Sequence, residues 1–80
     1  MTYRMIGDCS IYNKMNNKIA EEHLDLEGEY SLDPVARTKL VWKAQLMMKR
    51  KYLRSRVEFG KLNFYSKVGR EFVDMSERAF

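Results

Sequence analysis

His23 is the only histidine among 80 residues. It stands in an acidic stretch, with Glu22 before it, Asp25 two positions on and Glu27 four positions on. An imidazole beside carboxylates can bind a divalent metal or be tuned as a base. Two or three ligands from one short acidic segment do not make a selective site, so the simpler expectation is a histidine stabilised by acidic neighbours, with no metal. Cys9 is the only cysteine, and one histidine for the whole chain leaves it without the paired base that nucleophilic catalysis needs. If Asp8 caps a helix, Cys9 falls in its first turn and its thiol becomes somewhat more acidic. Otherwise it is a small apolar filler. Gly60 and Gly69 are isolated and build no phosphate cradle. Carboxylates at catalytic spacing occur only within the acidic stretch, where solvation explains them. No residues combine nucleophile, base and charge stabiliser, so the expectation is a non-enzymatic protein with no catalytic residues and no cofactor.

Such a protein acts by binding, and its charge pattern says where. The net charge of +4 hides an uneven distribution. Residues 1–33 carry three basic and seven acidic side chains, whereas residues 34–80 carry twelve basic and four acidic ones. The second half therefore calls for an anionic partner, or for the first half folded against it. A chain of this length buries only about 60–65% of the surface its unfolded form exposes, which leaves a lone core marginal. One cysteine allows no internal disulfide, so association with another chain is the expected remedy. No uninterrupted apolar run exceeds three residues. A signal-peptide core needs about 7–15 such residues and a membrane span about 20. With a free thiol, these features point to a reducing, cytoplasmic setting. A short, basic, methionine-rich composition is common among virus- and phage-encoded accessory proteins.

The elements that would position these charges read as a single all-α domain of three helices, completed by oligomerisation. Residues 1–7 lack a helical period and form an arm or a short strand. From Asp8 or Ser10, the residues Ile11, Tyr12, Met15, Ile19 and Leu26 recur at helical spacing. They predict an acidic helical segment over 8–28, ended by Gly28. Asn13, Asn16 and Asn17 weaken it. Asp33 followed by Pro34 is a helix start, with aspartate capping the free amides and proline at the first helical position. Nothing interrupts good helix formers until Gly60, so a basic central helix is predicted over 34–59, about 39 Å long. After Gly60, Leu62, Tyr65, Val68, Phe72, Met75 and Ala79 predict a C-terminal helix over 61–79, with Gly69 as its weak point. A hairpin across residues 57–66 is the competing reading, since Val57, Phe59, Leu62 and Phe64 suit strands.

On a helical wheel the central segment is apolar on three arcs. Val35, Trp42, Leu46, Leu53 and Val57 share one, Val41, Met48, Tyr52 and Phe59 a second, and Ala36, Leu40, Ala44 and Met47 a third. Two neighbouring helices cover about two arcs, and a partner completes the third. The polar positions between the arcs are basic: Lys39, Lys43, Arg50 and Arg54 on one arc, Lys49 and Arg56 on another. Either the acidic stretch Glu21 to Glu29 compensates these cations, or a partner does. The leading expectation is a protein-interaction module that docks on a protein partner with an acidic surface, on a second copy of itself, or on both. Trp42, Met48, Tyr52 and Phe59 are its expected anchors. Nucleic acid bound through Lys39, Lys43, Lys49, Arg50, Arg54 and Arg56 is the alternative. An anionic membrane surface is the least favoured, because no clean apolar face lies opposite the charges.

Overall fold

Alternation along the chain, with a period of two, decides the architecture. In β1, Thr2–Tyr12, the side chains of Tyr3, Met5, Cys9 and Ile11 turn to one side and are buried. Arg4, Asp8 and Ser10 turn to the other. In β2, Lys18–Glu29, the run His23-Leu24-Asp25-Leu26-Glu27 alternates just as strictly, and Leu24 is buried. Both strands pair antiparallel, with Met5 opposite Leu26, Gly7 opposite Leu24 and Ile11 opposite Ala20. Helix α1 spans Asp33–Lys51. Strand β3, Arg56–Val68, then returns on the other side of β1, and β4, Glu71–Asp74, closes the order β2-β1-β3-β4 with every pairing antiparallel. The structure, a computed structural model, describes residues 1–75.

This corrects the three-helix expectation. The described residues form a four-stranded antiparallel sheet with one helix across one face. The segment 8–28 is the end of β1 and most of β2, not an acidic helix. Asparagine belongs there because residues 13–17 are the turn. The Asn13 side chain accepts hydrogen bonds from the amides of Met15 and Asn17 at 2.9 and 3.0 Å. Asn16 takes the left-handed φ of 63°, which asparagine tolerates well. The segment 61–79 is likewise strand and turn, not α-helix, through Asp74. Val68 pairs with Glu71 across the two-residue turn Gly69-Arg70, and Gly69 supplies the positive φ of 65° that such a turn needs. Residues 76–79 of that expected helix lie outside the described residues.

The central helix exists but stops at Lys51, eight residues before the expected end. Arg54 adopts φ 62°, and the chain leaves the helical conformation. Helix propensity loses there to tertiary pairing. Extended, the run Arg56-Val57-Glu58-Phe59 places Val57 opposite Ile11 and Phe59 opposite Cys9, both packed on the core. Gly60 breaks no helix. Gly60 and Lys61 together oppose the single residue Asp8, a β-bulge in a continuous strand rather than a hairpin across 57–66. The bulge brings the chain close to Gly7, where a β-carbon would lie 2.8 Å from the Lys61 carbonyl oxygen. The helix start also differs in detail. Asp33 is itself the first helical residue, with Pro34 next, so the cap position falls to Leu32, which makes no side-chain cap hydrogen bond.

The core lies between α1 and the sheet. Ala36, Leu40, Ala44 and Met48, one every four residues, face Tyr3, Met5, Cys9, Ile11 and Leu24. Two alanines in that stripe let the helix backbone approach the strands. The opposite sheet face carries Arg4, Asp8, His23, Asp25 and Glu27, and among the described residues no helix covers it. Leu40 is fully buried at the centre of the stripe. Leu40→Ala is expected to lower the unfolding free energy by about 2–5 kcal/mol, read by urea denaturation.

Candidate functional site

Polar contacts fix both ends of α1 to the sheet and so decide which helix face looks outward. At the start, the Tyr3 hydroxyl donates to Asp33 Oδ1 at 2.6 Å. At the end, Glu22 reaches up from β2 on the helix side. Its Oε1 accepts from the Tyr52 hydroxyl at 2.7 Å and from Lys51 Nζ at 2.7 Å. These donors, Lys51 first and Tyr52 second, hold the Glu22 carboxyl below the usual carboxylate range. The same contacts push the Lys51 ammonium and the Tyr52 phenol upward. Sequence reasoning overlooked Glu22 and Tyr3 as positioning groups. Their signal is the alternation itself, since Glu22 shares the parity of Leu24 and Tyr3 that of Met5.

With the helix fixed, the side chains singled out in sequence separate into two groups. Met48 is buried in the chain's own core. Phe59 packs against that core from β3, and Tyr52 is tied to Glu22. Trp42 alone of the four expected anchors stands out from the surface, 56% exposed. Val35 and Leu53 of the same arc are exposed as well. Within α1 the sheet covers the other two arcs in part and leaves Val35 and Trp42 open.

All six expected anion-contact residues are on the surface. Lys39 sits with its ammonium 5.7 Å from the Trp42 ring centroid. Arg56 is engaged: it pairs with Glu58, donates to Asn16 Oδ1 at 2.9 Å and stacks on Tyr12. Lys39, Lys43, Lys49, Arg50 and Arg54 meet no carboxylate within ion-pair distance among the described residues. Between Asp33 and Glu58 the chain has eight basic residues and no acidic one. Lys49, Arg50 and Lys51 also suit the negative end of the helix dipole, which accounts for part of this density.

The acidic stretch does not neutralise this helix. Asp25 is held by a two-pronged contact from Arg4, Glu21 by Lys18 and Glu29 by the N-terminus and Thr2. Lys51 is the helix's one ion pair to it among the described residues. His23 is exposed, with Nδ1 3.2 Å from Asp8 Oδ1. It shares the open face with Asp25 and Glu27, at intervals of about 6.6 Å along the strand, while Glu22 points through to the other side. No group of three or more metal-ligating side chains gathers among the described residues. Cys9 is mid-strand and buried rather than in a helical first turn, and burial, with Glu22 nearby, raises its thiol pKa.

Among the described residues no helix is long and apolar enough to cross a membrane. Compared with protein-family models, curated proteins and solved structures, the chain matches none.

Two measurements check this arrangement. Glu22, Asp25 and Glu29 are all held below their ordinary pKa by their donors. Their contribution to stability is complete above the unfolded value, about 4. It is lost as pH falls through the lower folded values. The urea midpoint should fall between pH 6 and pH 3, and Glu22→Gln should make that fall shallower. For Cys9, thiol labelling of the native chain at neutral pH should run slower than for free cysteine and rise to the free rate in denaturant.

Proposed function

We propose that the protein is a non-enzymatic interaction module that docks an acidic protein surface on the outward face of α1. The supporting observation is the concentration of unmatched positive charge around an exposed aromatic. Lys39, Lys43, Lys49, Arg50 and Arg54 have no ion pair among the described residues, and Trp42 and Val35 stand among them. Lys39 and Lys43, four residues apart on the helix, repel by a few tenths of a kcal/mol. An acidic surface relieves that repulsion and steers the encounter, while burial of Trp42 supplies contact energy. Anchorage rests on Trp42, with Val35 two helical turns away on the same face, because Met48, Tyr52 and Phe59 serve the chain's own packing. The reading sets the protein in a reducing, intracellular compartment, where a buried free thiol persists.

Nucleic acid is the other anion that these cations fit. The apolar side chains among them favour a protein surface, since phosphates offer Val35 and Leu53 nothing to bury against. Trp42 is the only tryptophan, so its emission reports on this face alone. The probe is an acidic amphipathic peptide of glutamate and leucine heptads. It should shift Trp42 emission to the blue and shield it from acrylamide. Lys39→Glu combined with Lys43→Glu should weaken that response at least about tenfold. Absence of any response overturns the proposal. So does tighter binding of labelled duplex DNA with a log–log salt slope near −0.9 per phosphate contact, which assigns the face to nucleic acid.

A further inference from the structure

Strand β2 is an edge. Among the described residues it pairs with β1 alone, so one side of a 12-residue strand keeps its outward amides and carbonyls unpaired by the sheet. Exposed edges of this length are templates for another strand. Next to this one lies a groove of about 630 Å³, between β2 and the C-terminal half of α1. Its lining includes Leu24, Leu26, Met47 and Met48, with Arg50 and Lys51 on the helix rim. Met47 is 42% exposed, an apolar side chain facing the groove with nothing over it.

We propose that this groove binds an extended peptide segment whose residues alternate between basic and apolar, added to β2 as a further strand. The two walls impose opposite demands on the two sides of an added strand. Side chains next to Leu24 and Leu26 fall on the helix side, against Met47 and Met48, and are apolar. Lys51 is matched there by Glu22, which also lines the groove, and Arg50, with no ion pair among the described residues, stands over those positions and repels a cation placed there. Side chains next to Glu21, Asp25 and Glu27 fall on the open face. Opposite charges paired across strands stabilise a sheet and like charges destabilise it, so these positions take lysine or arginine. Glu27 has no ion pair among the described residues and is the carboxylate most open to such a cation. The main chain supplies affinity, and the alternation fixes register.

A second copy of β2 is a poor occupant, because its own acidic row would lie beside this one. The site is independent of the outward face of α1. It selects cations, where that face selects carboxylates.

The probe is a dye-labelled nonapeptide of alternating lysine and valine, followed by fluorescence anisotropy at low salt. A glutamate–valine peptide and a peptide of the same composition with its lysines contiguous serve as controls. The alternating lysine peptide should bind and both controls should bind at least about fivefold more weakly. Glu27→Lys and Met47→Asp should each weaken it by a similar factor, with circular dichroism unchanged because both side chains are exposed. Amide shifts on binding should map to β2 and to the last turns of α1. No binding by the alternating peptide overturns the proposal, as does equal binding of the contiguous-lysine control. Affinity indifferent to both substitutions overturns it too. So do shifts confined to other elements, or self-association of the chain that Glu27→Lys abolishes while the peptide fails to bind.

Discussion

The contact between one helix stripe and the centre of the sheet holds this structure together. Ala36, Leu40, Ala44 and Met48 seal the row Tyr3, Met5, Cys9, Ile11 and Leu24 from water. A four-stranded sheet of this length has two faces, and the one helix among the described residues covers only one of them. The helix has a whole circumference, and the sheet covers only part of it. Tyr3 with Asp33 and Glu22 with Tyr52 and Lys51 then remove the freedom to roll. What is left outside follows from that constraint: a cationic helix face around Trp42, an open sheet face, and the bare edge of β2.

The charge asymmetry of the sequence acquires a spatial meaning from the same constraint. Folding one half of the chain onto the other is the economical way to neutralise acidic and basic halves. Here it happens once between helix and acidic strand, at Glu22 and Lys51. Most other acidic residues of β2 turn to the open face, where Arg4 and Lys18 meet two of them. A strand can show only alternate residues to a helix, and in β2 those are chiefly Ala20, Leu24 and Leu26. The cations of α1 and the carboxylates of β2 therefore point away from one another. Both sets are left for partners, and of opposite sign.

How far the sequence revealed this depends on the residue. The Asp33-Pro34 start, the body of α1 and the surface location of its cations were legible, because proline and a run of good helix formers act locally. The strands were not, although the signal is present. An interval of four satisfies a period of two as well as one of 3.6, so Ile11, Met15 and Ile19 fit either pattern. His23-Leu24-Asp25-Leu26-Glu27 resolves the ambiguity, since no helix face accounts for apolar residues at alternate positions. In β3 the bulge at Gly60 shifts the alternation by one residue, and the broken pattern resembles a helical one. The end of α1 was illegible for a different reason. No glycine or proline marks it, and the pairing of Val57 and Phe59 with β1 overrides local propensity. The expected anchors scatter for the same reason, because a wheel drawn to residue 59 mixes helix with strand and Met48, Tyr52 and Phe59 turn toward the chain's own packing. Only Trp42 of those four lies on the part of the wheel that faces water.

Site-resolved amide hydrogen exchange tests this account most directly, because burial of β1 between two strands and exposure of β2 along one side make different patterns. The account predicts protection at consecutive residues through β1 and the body of α1, and protection at every second residue along Lys18–Glu29. Consecutive protection through residues 18–29, or through 52–59 as a continuation of the helix, would contradict it.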